Sequence, residues 1–349
     1  MTRRAWWAFG FMSIVWGGSY LLIKIAIDGG LTAPDVAWLR VALAAVLLAP
    51  ATVRGRAALA ARWRWILAYA VAEISIPFPF IAAGEVHIAS SLAAIIIASV
   101  PLIVTVLSLR FDPSERPTRS RAVGLVVGFG GVIALVGLDV AGSGPELVGT
   151  LLVLVGAVGY AVGPMVVKLG MGGLDSRGVM GASLLVAAVL LAPFAAVDTP
   201  GRAPTWGAWA AVATLGVLCT AIAFVVYTVL IREAGTGRAT VITYLNPLVA
   251  LVLGVTLLGE RPGPGAILGL ALILAGSWLS TGGAWPPAMG GRRGDRPRSR
   301  GGGRPGGRGG GRPGGPGGGR PGGRGGGWPG RERAPTPPSG GPDELAAGG

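Results

Sequence analysis

The feature that most constrains this chain is a succession of long apolar runs separated by short polar breaks. A helix needs roughly 20 mostly apolar residues to cross about 30 Å of hydrocarbon. Ten runs meet that need, at 5–27, 35–53, 65–84, 90–110, 121–140, 147–168, 178–197, 206–231, 238–258 and 265–283. Each breaks at a cluster of Gly, Pro or charge, such as Asp28-Gly29-Gly30, Arg54-Gly55-Arg56 or Asp198-Thr199-Pro200-Gly201. A closed β-barrel is the other structure that can span lipid, but its strands alternate apolar and polar residues. Leu92-Ala93-Ala94-Ile95-Ile96-Ile97 does not alternate. The expected fold class is therefore an all-α integral membrane protein with ten transmembrane helices.

Composition argues the same way. Charged residues make up 13% of the 349-residue chain, against roughly 25% in an average soluble domain. That is too little charge to coat a globule of this size. The net charge of +14 is concentrated in the tail, where residues 288–349 hold 12 Arg and 4 acids. The single cysteine, Cys219, and the single histidine, His87, exclude an intrachain disulfide and a His-based zinc motif. No cofactor or metal is expected. The first run follows Met1-Thr2-Arg3-Arg4 and reaches Ile27. It is longer than the apolar core of a cleavable signal, so it is read as an uncleaved first span.

Charge between the runs sets an orientation. With the N-terminus in the cytoplasm, inside segments hold 14 cations, among them Arg54, Arg56, Arg62, Arg64, Arg110, Arg116, Arg119 and Arg121. Outside segments hold two, Arg202 and Arg261. The positive-inside rule then places both termini in the cytoplasm, at a plasma (inner) membrane.

The chain also repeats itself. Ala44-Ala45-Val46-Leu47-Leu48-Ala49-Pro50 recurs unchanged at Ala187–Pro193, an offset of 143. Trp16 and Lys24 are echoed by Tyr160 and Lys168, Pro101-Leu102 by Pro247-Leu248, and Glu115-Arg116-Pro117 by Glu260-Arg261-Pro262, at offsets of 144 to 146. Gly124-Leu125 and Gly131 return as Gly269-Leu270 and Gly276. Five ordered matches at a nearly constant offset indicate duplication. Each half holds five runs, an odd number, so the second half would enter the bilayer from the opposite side. Inverted repeats of this kind let secondary transporters alternate access around a central site. The expected division is 1–141, 142–287 and a Gly/Pro/Arg-rich cytoplasmic tail, 288–349, whose composition predicts disorder.

These residues carry a resemblance. Trp16-Gly17 with Lys24, Leu39-Arg40, Asn246-Pro247-Leu248, and Leu258-Gly259-Glu260-Arg261 leading into Leu268-Gly269 and Ala275-Gly276 resemble the EamA branch of the drug/metabolite transporter superfamily. The resemblance covers about residues 5–283. In the first half a Gly-Glu pair is replaced by Ser114-Glu115 in a longer loop. The resemblance implies ten helices, a central cavity lined by the first four helices of each half, and export or exchange of amino acids, other metabolites or drugs without ATP.

Ionisable residues within a span are functional candidates because lipid makes them costly. Glu73 falls about ten residues into the third run. Desolvation there disfavours its charged form, which would suit proton coupling; its alternative is a structural partner for a buried Arg. Arg40 could pair with Glu73, hold a substrate carboxylate or phosphate through its planar fork, or snorkel. Lys24, near a run's end, is explained by snorkelling and kept only for its repeat-related position. Pro77, Pro101 and Pro247 are read as helix breaks, since proline removes a backbone donor. Tyr244 and Asn246 flank the last of these. Phe78, Trp16, Tyr160 and Tyr227 are candidate cavity walls and equally ordinary packing residues. Glu260 is read as a cap, and the glycine pairs Gly124/Gly128, Gly159/Gly163 and Gly265/Gly269 as close-packing positions.

The expected function is a secondary transporter moving a small metabolite or drug, with uptake or antiport of a phosphorylated solute as the alternative. An enzyme is not expected: Gly142-Ser143-Gly144 lies in a loop, and no Walker A or paired aspartates appear. A membrane tether acting through its basic tail, attracted to nucleic acid or anionic lipid, is the reading from a third class. The partners expected are the bilayer and a small-molecule substrate. Protons as coupling ion, a second copy of the chain in a homodimer, and anionic lipid at the tail are left open.

Overall fold

A computed structural model describes residues 2–111, 118–140, 142–234 and 241–281. The Arg/Gly-rich tail and the Ser114-Glu115 loop lie outside the described residues. Among the described residues all regular structure is helical. Eight helices are long and apolar enough to cross a membrane: α1 (Arg3–Asp28), α2 (Ala33–Ala60), α3 (Trp63–Glu85), α4 (Ser90–Phe111), α5 (Arg119–Val140), α6 (Gly144–Gly170), α7 (Ser176–Val197) and α8 (Trp206–Ala234). Two shorter apolar helices follow, α9 (Ile242–Leu258) and α10 (Pro264–Ser280), each of 17 residues. At 1.5 Å per residue these reach only about 25 Å. The ten expected runs thus become eight helices of membrane length and two shorter ones.

Local chemistry sets many of the boundaries. Thr32 and Asp35 form a reciprocal capping box at the start of α2, satisfying donors that would otherwise be orphaned. Ser143, Asp175 and Thr205 cap α6, α7 and α8 through their side chains. Gly259 ends α9 in the left-handed region, at φ +65°, a conformation that costs glycine nothing. One boundary differs from expectation. Arg54-Gly55-Arg56 does not end α2, which runs on to Ala60. Ala and Arg are good helix formers, and both arginines are exposed, so the helix continues as a solvated extension.

Three helices carry π-helical segments, internal in α3 and α8 and terminal in α5. π-Helical segments occupy Ala70–Ser75 in α3, Val136–Val140 in α5 and Leu215–Ile222 in α8. Such segments occur often at functional sites. The α3 and α8 segments begin 145 positions apart, matching the sequence repeat. Pro77 starts the helical stretch that follows the first of them. Pro101 follows a break in α4 at Ala98–Ser99, where Ser99 N–H turns back to the Ile96 carbonyl. Pro247 does not act as expected: α9 continues through it from Ile242 to Leu258. The described helix starts at Ile242 rather than 238, so the proline stands near its first turns, where less of the ladder is lost.

Contacts gather the helix ends into two groups. At the end bearing the N-terminus, Thr2 Oγ1 and Arg4 reach Glu233 at the end of α8, and Arg62 Nη1 donates to the Gly170 carbonyl at 2.7 Å. At the opposite end, called here the far end, Thr205 N–H donates to the Gly29 carbonyl at 2.9 Å, and Arg202 donates to the Asp28 carbonyl. The far end also joins α10 to α5, where Gly265 N–H donates to Asp139 Oδ1 at 2.9 Å.

Helices α5 and α10 pack with backbones in near contact. A Cβ at Gly124, Gly131, Gly269 or Gly276 would overlap the facing helix's backbone. Small residues drive association in lipid by permitting this approach. Helix α2 packs against α7, α1 against α8 and α9, and α6 against α3 and α4. The interior divides into two apolar clusters: one centred on α1, α4 and α8, the other on α2, α3 and α7. Tyr160 packs against both.

Candidate functional site

The seam beside Tyr160 gathers most of the charged and aromatic residues of the interior. Arg40 is buried on α2, which is unusual for an arginine. Its Nε donates to Thr220 Oγ1 at 2.8 Å, and its guanidinium lies 4.1 Å from the centre of the Phe78 ring. The aromatic face attracts the cation. Thr220 belongs to the π segment of α8 and passes its own proton to the Leu215 carbonyl at 2.8 Å. Its oxygen is thereby aimed at the arginine. Phe78 is held beside Tyr160, edge to face, with ring centres 6.5 Å apart.

Glu73 stands in the π segment of α3. It is half-buried; its Oε2 is sealed from solvent and has no hydrogen-bond partner. The carboxylate lies where α6 has Gly163, and any Cβ at that position would overlap it. Gly159, one turn earlier, leaves room for Pro77 and the Ala72 carbonyl in the same way. The spacing of this pair fits helix packing, and Gly163 also makes the space that the acid occupies. Tyr160 lies within electrostatic reach of both Arg40 and Glu73. Tyr69 and Tyr227 also lie within reach of Glu73.

The opposite wall comes from α1 and α8. Trp16 meets Phe224 edge-on with centres 5.9 Å apart and Tyr227 at 5.0 Å. Its Nε1 donates to the Cys219 carbonyl at 3.2 Å, within the π segment of α8. Six expected residues therefore come together: Trp16, Arg40, Glu73, Phe78, Tyr160 and Tyr227. The pairing of Arg40 with Glu73 does not form, because Arg40 turns to Thr220 and Phe78 instead.

The remaining candidates sit elsewhere. Asn246 lies where α9 crosses α1, its carbonyl against Gly17 and its buried Oδ1 without a partner. Tyr244 Oη hydrogen-bonds Thr281 Oγ1 at 3.1 Å near the end of α10. Lys24 is at the far end of α1, donating to the Glu85 carbonyl at 2.9 Å and facing Asp28 at 3.6 Å. It does not snorkel outward but reaches across to α3. Sequence reasoning missed Thr220, Tyr69, Tyr20 and Glu85. Glu85 fell one position beyond the expected end of the third run at 84, so it passed for a loop residue. Thr220 could not be found, because a threonine in an apolar run carries no signal of its own.

Glu260 does the capping work assigned to it. The left-handed Gly259 turns the chain so that Glu260 faces the start of α4, which has no side-chain cap of its own. Ser90 N–H and hydroxyl donate to Oε1, both at 2.8 Å, and Ser91 N–H donates to Oε2 at 3.0 Å. Burial alone would push its pKa up, but the hydrogen bonds from Ser91 and Ser90 hold the carboxyl below the usual carboxylate range.

A bundle of apolar helices enclosing a buried cation, a partnerless carboxylate oxygen and a ring of aromatic residues defines a multi-pass membrane protein with a polar interior. Residues 5–137 and 147–282 each match the EamA-like transporter family, and the chain belongs to that family. Among its relatives are an uncharacterised transporter of Archaeoglobus fulgidus, 24% identical over 79% of this chain and 98% of that protein, and a probable terminal-alkyne amino-acid exporter of Streptantibioticus cattleyicolor, 29% identical over 79% and 93%. The uncharacterised inner membrane transporter YedA of Escherichia coli K12 is 29% identical over 71% of this chain and 80% of its own length. A solved crystal structure shares the fold, with a TM-score of 0.58 at 20% identity over 80% of this chain and 97% of the other.

Proposed function

We propose that this chain is a secondary transporter that exports or exchanges a small zwitterionic metabolite, an amino acid or a close relative, across the plasma membrane by alternating access. The observation that carries the reading is the separation of Arg40 from Glu73 within one aromatic enclosure. One group is a cation and the other an acid that becomes an anion when ionised; they do not pair with each other, and both lie near Tyr160. A ligand with a carboxylate for Arg40 and an ammonium for Glu73 would satisfy both at once. Neutral ligands would leave the buried carboxylate unpaired, which costs free energy. The Streptantibioticus relative, a probable terminal-alkyne amino-acid exporter, agrees with this chemistry.

Exchange follows from the same carboxylate. A proton and a substrate ammonium compete for Glu73, so the carrier crosses with substrate in one direction and with a proton in the other, and a proton gradient can drive the cycle. Two features support an inverted repeat as the mechanical basis. The π segments of α3 and α8 stand at repeat-related positions. The edge-on pairs Tyr160–Phe78 and Trp16–Phe224 are also repeat-related, at offsets of 144 and 146. Both termini are read as cytoplasmic from the 14:2 excess of cations in the loops at the N-terminal end.

The test is a proteoliposome flux screen over amino acids, nucleobases and sugar phosphates, with and without a pH gradient, on wild type and Glu73→Gln. The expected result is gradient-driven flux of an amino acid in wild type that becomes gradient-independent or is lost in Glu73→Gln. The amine lacking the carboxylate and the acid lacking the amine should both compete poorly. Equal flux in both proteins, indifferent to the gradient, would remove Glu73 from the mechanism. Flux of a sugar phosphate alone would favour the reading in which Arg40 holds a phosphorylated solute.

A further inference from the structure

The far end of the bundle holds a second buried acid that the proposed transport chemistry does not use. Glu85, the last residue of α3, is 0% exposed, and neither carboxyl oxygen has a hydrogen-bond partner. A carboxylate left so would be among the most costly groups in the molecule. Yet a cation is at hand. Lys24 Nζ is 2.9 Å from the backbone carbonyl of this same residue, and it faces the exposed Asp28 at 3.6 Å. The ammonium thus touches Glu85's main chain and not its side chain. An ionised Glu85 would claim that cation, so this arrangement fits a neutral acid.

The surroundings bound the choice of ligand. From α1 come Tyr20, Lys24 and Asp28; from α2, Arg40; from the α9–α10 turn, Glu260; all lie within electrostatic reach of Glu85. His87 follows two residues on. Glu260 is committed to Ser90 and Ser91, and Arg40 to Thr220. Lys24 is the group with two alternatives, because its present acid partner is exposed and one turn away on its own helix. The helix end is closely packed: Glu85 is 0% exposed, and a Cβ at the preceding Gly84 would overlap the Gly149 carbonyl and Val153 of α6.

We propose that Glu85 is a proton-binding site at the far end of the bundle, with Lys24 as its exchangeable counter-ion. With the proton bound, Lys24 rests on Asp28 and the Glu85 carbonyl, as observed. When the proton leaves to water at the far end, the Lys24 ammonium shifts from Asp28 to the Glu85 carboxylate. The ion pair then ties α1 to α3 side chain to side chain. Protonation at this end thereby sets how firmly these two helices are joined. The inference is independent of the substrate and of Glu73.

Infrared difference spectroscopy of the full chain in lipid, titrated with pH, tests it without requiring transport. Wild type at neutral pH should show a protonated-carboxyl C=O band that Glu85→Gln lacks and Glu73→Gln keeps. Raising the pH should remove that band from wild type, whereas in Lys24→Met it should persist over the same range, because the carboxylate would find no cation. If Glu85→Gln fails to fold, Glu85→Asp should move the band in frequency rather than delete it. Identical carboxyl spectra in wild type and the Glu85 variants, or a Lys24→Met titration that matches wild type, would overturn the proposal. Because no flux is measured, its failure is distinguishable from a failure of the exporter reading.

Discussion

The two halves of the chain build the same walls and fill them differently. In α3 a π segment carries Glu73; the segment related to it by the repeat, in α8, carries Cys219 and Thr220. Tyr160 on Phe78 is matched by Trp16 on Phe224. The charges, however, have no counterparts. The position related to Arg40 by the offset of 143 is Ser183, a fully buried hydroxyl without a partner. The position related to Glu73 by 145 is Leu218, and the position related to Gly163 by 144 is Ser19, whose Oγ is spent on the Trp16 carbonyl at 2.7 Å. Backbone irregularity and aromatic lining thus belong to both halves, while among the described residues the buried charged side chains, Arg40 and Glu85, lie in the first. The difference teaches that the duplication supplied the frame, and the chemistry was written into one copy.

That comparison can be broken most forcefully at Arg40 and Ser183. Arg40→Gln should lower kcat/KM for the transported solute by about 10²-fold or more, since removing one partner of a buried charged interaction costs about 2–5 kcal/mol. Ser183→Ala should change it little. Comparable losses at the two positions would show that the second half contributes more than frame. The next effect in size is at Gly163. Gly163→Ala puts a methyl group where the Glu73 carboxylate lies, and overpacking of this kind costs about 1–3 kcal/mol. Purified Gly163→Ala should exchange solute slowly and unfold a few degrees lower, whereas Ser19→Ala should be close to wild type in both measurements.

Thr220→Val sharpens the contact between halves. It leaves the Arg40 Nε without its acceptor, at a cost of about 1–3 kcal/mol. Thermal unfolding in detergent should register the loss, and Thr220→Ser should restore it. The smallest effect is expected at Glu260→Gln, which weakens the cap of α4 by about 1 kcal/mol. Its pH dependence has a definite sign. The folded-state value is depressed, so the Glu260 contribution is complete above the unfolded value of about 4.3 and fades as the pH falls through the folded one. The difference in unfolding temperature between wild type and Glu260→Gln should therefore be constant near neutrality and shrink in acid. A difference that grew on acidification would contradict the hydrogen-bond geometry at Ser90 and Ser91.

Much of this architecture was legible in the residues. Span positions follow from apolar length, because lipid leaves a helix no alternative for its backbone polar groups. Glu260 was readable as a cap, and Arg40 and Glu73 were conspicuous as charges in apolar runs. What escaped notice has a physical reason in each instance. The π segments depend on packing against a neighbouring helix and have no residue signature. Thr220 is an ordinary residue until α2 brings an arginine to it. Glu85 was lost to a boundary placed one residue early, and Pro247 was expected to break a helix that begins closer to it than the apolar run suggested. Lys24 looked free to snorkel because its partner lies 61 positions away on another helix.

The central claim is that two five-helix halves face opposite ways and enclose Arg40 and Glu73 between them. Single cysteines at Val86, after α3, and at Arg232, at the end of α8, in a Cys219→Ser background test it most directly. Both positions are exposed. With a membrane-impermeant maleimide added to the outside of intact cells, Val86→Cys should label and Arg232→Cys should label only after the membrane is opened. Labelling of both from the same side would contradict the antiparallel arrangement and the carrier mechanism built on it.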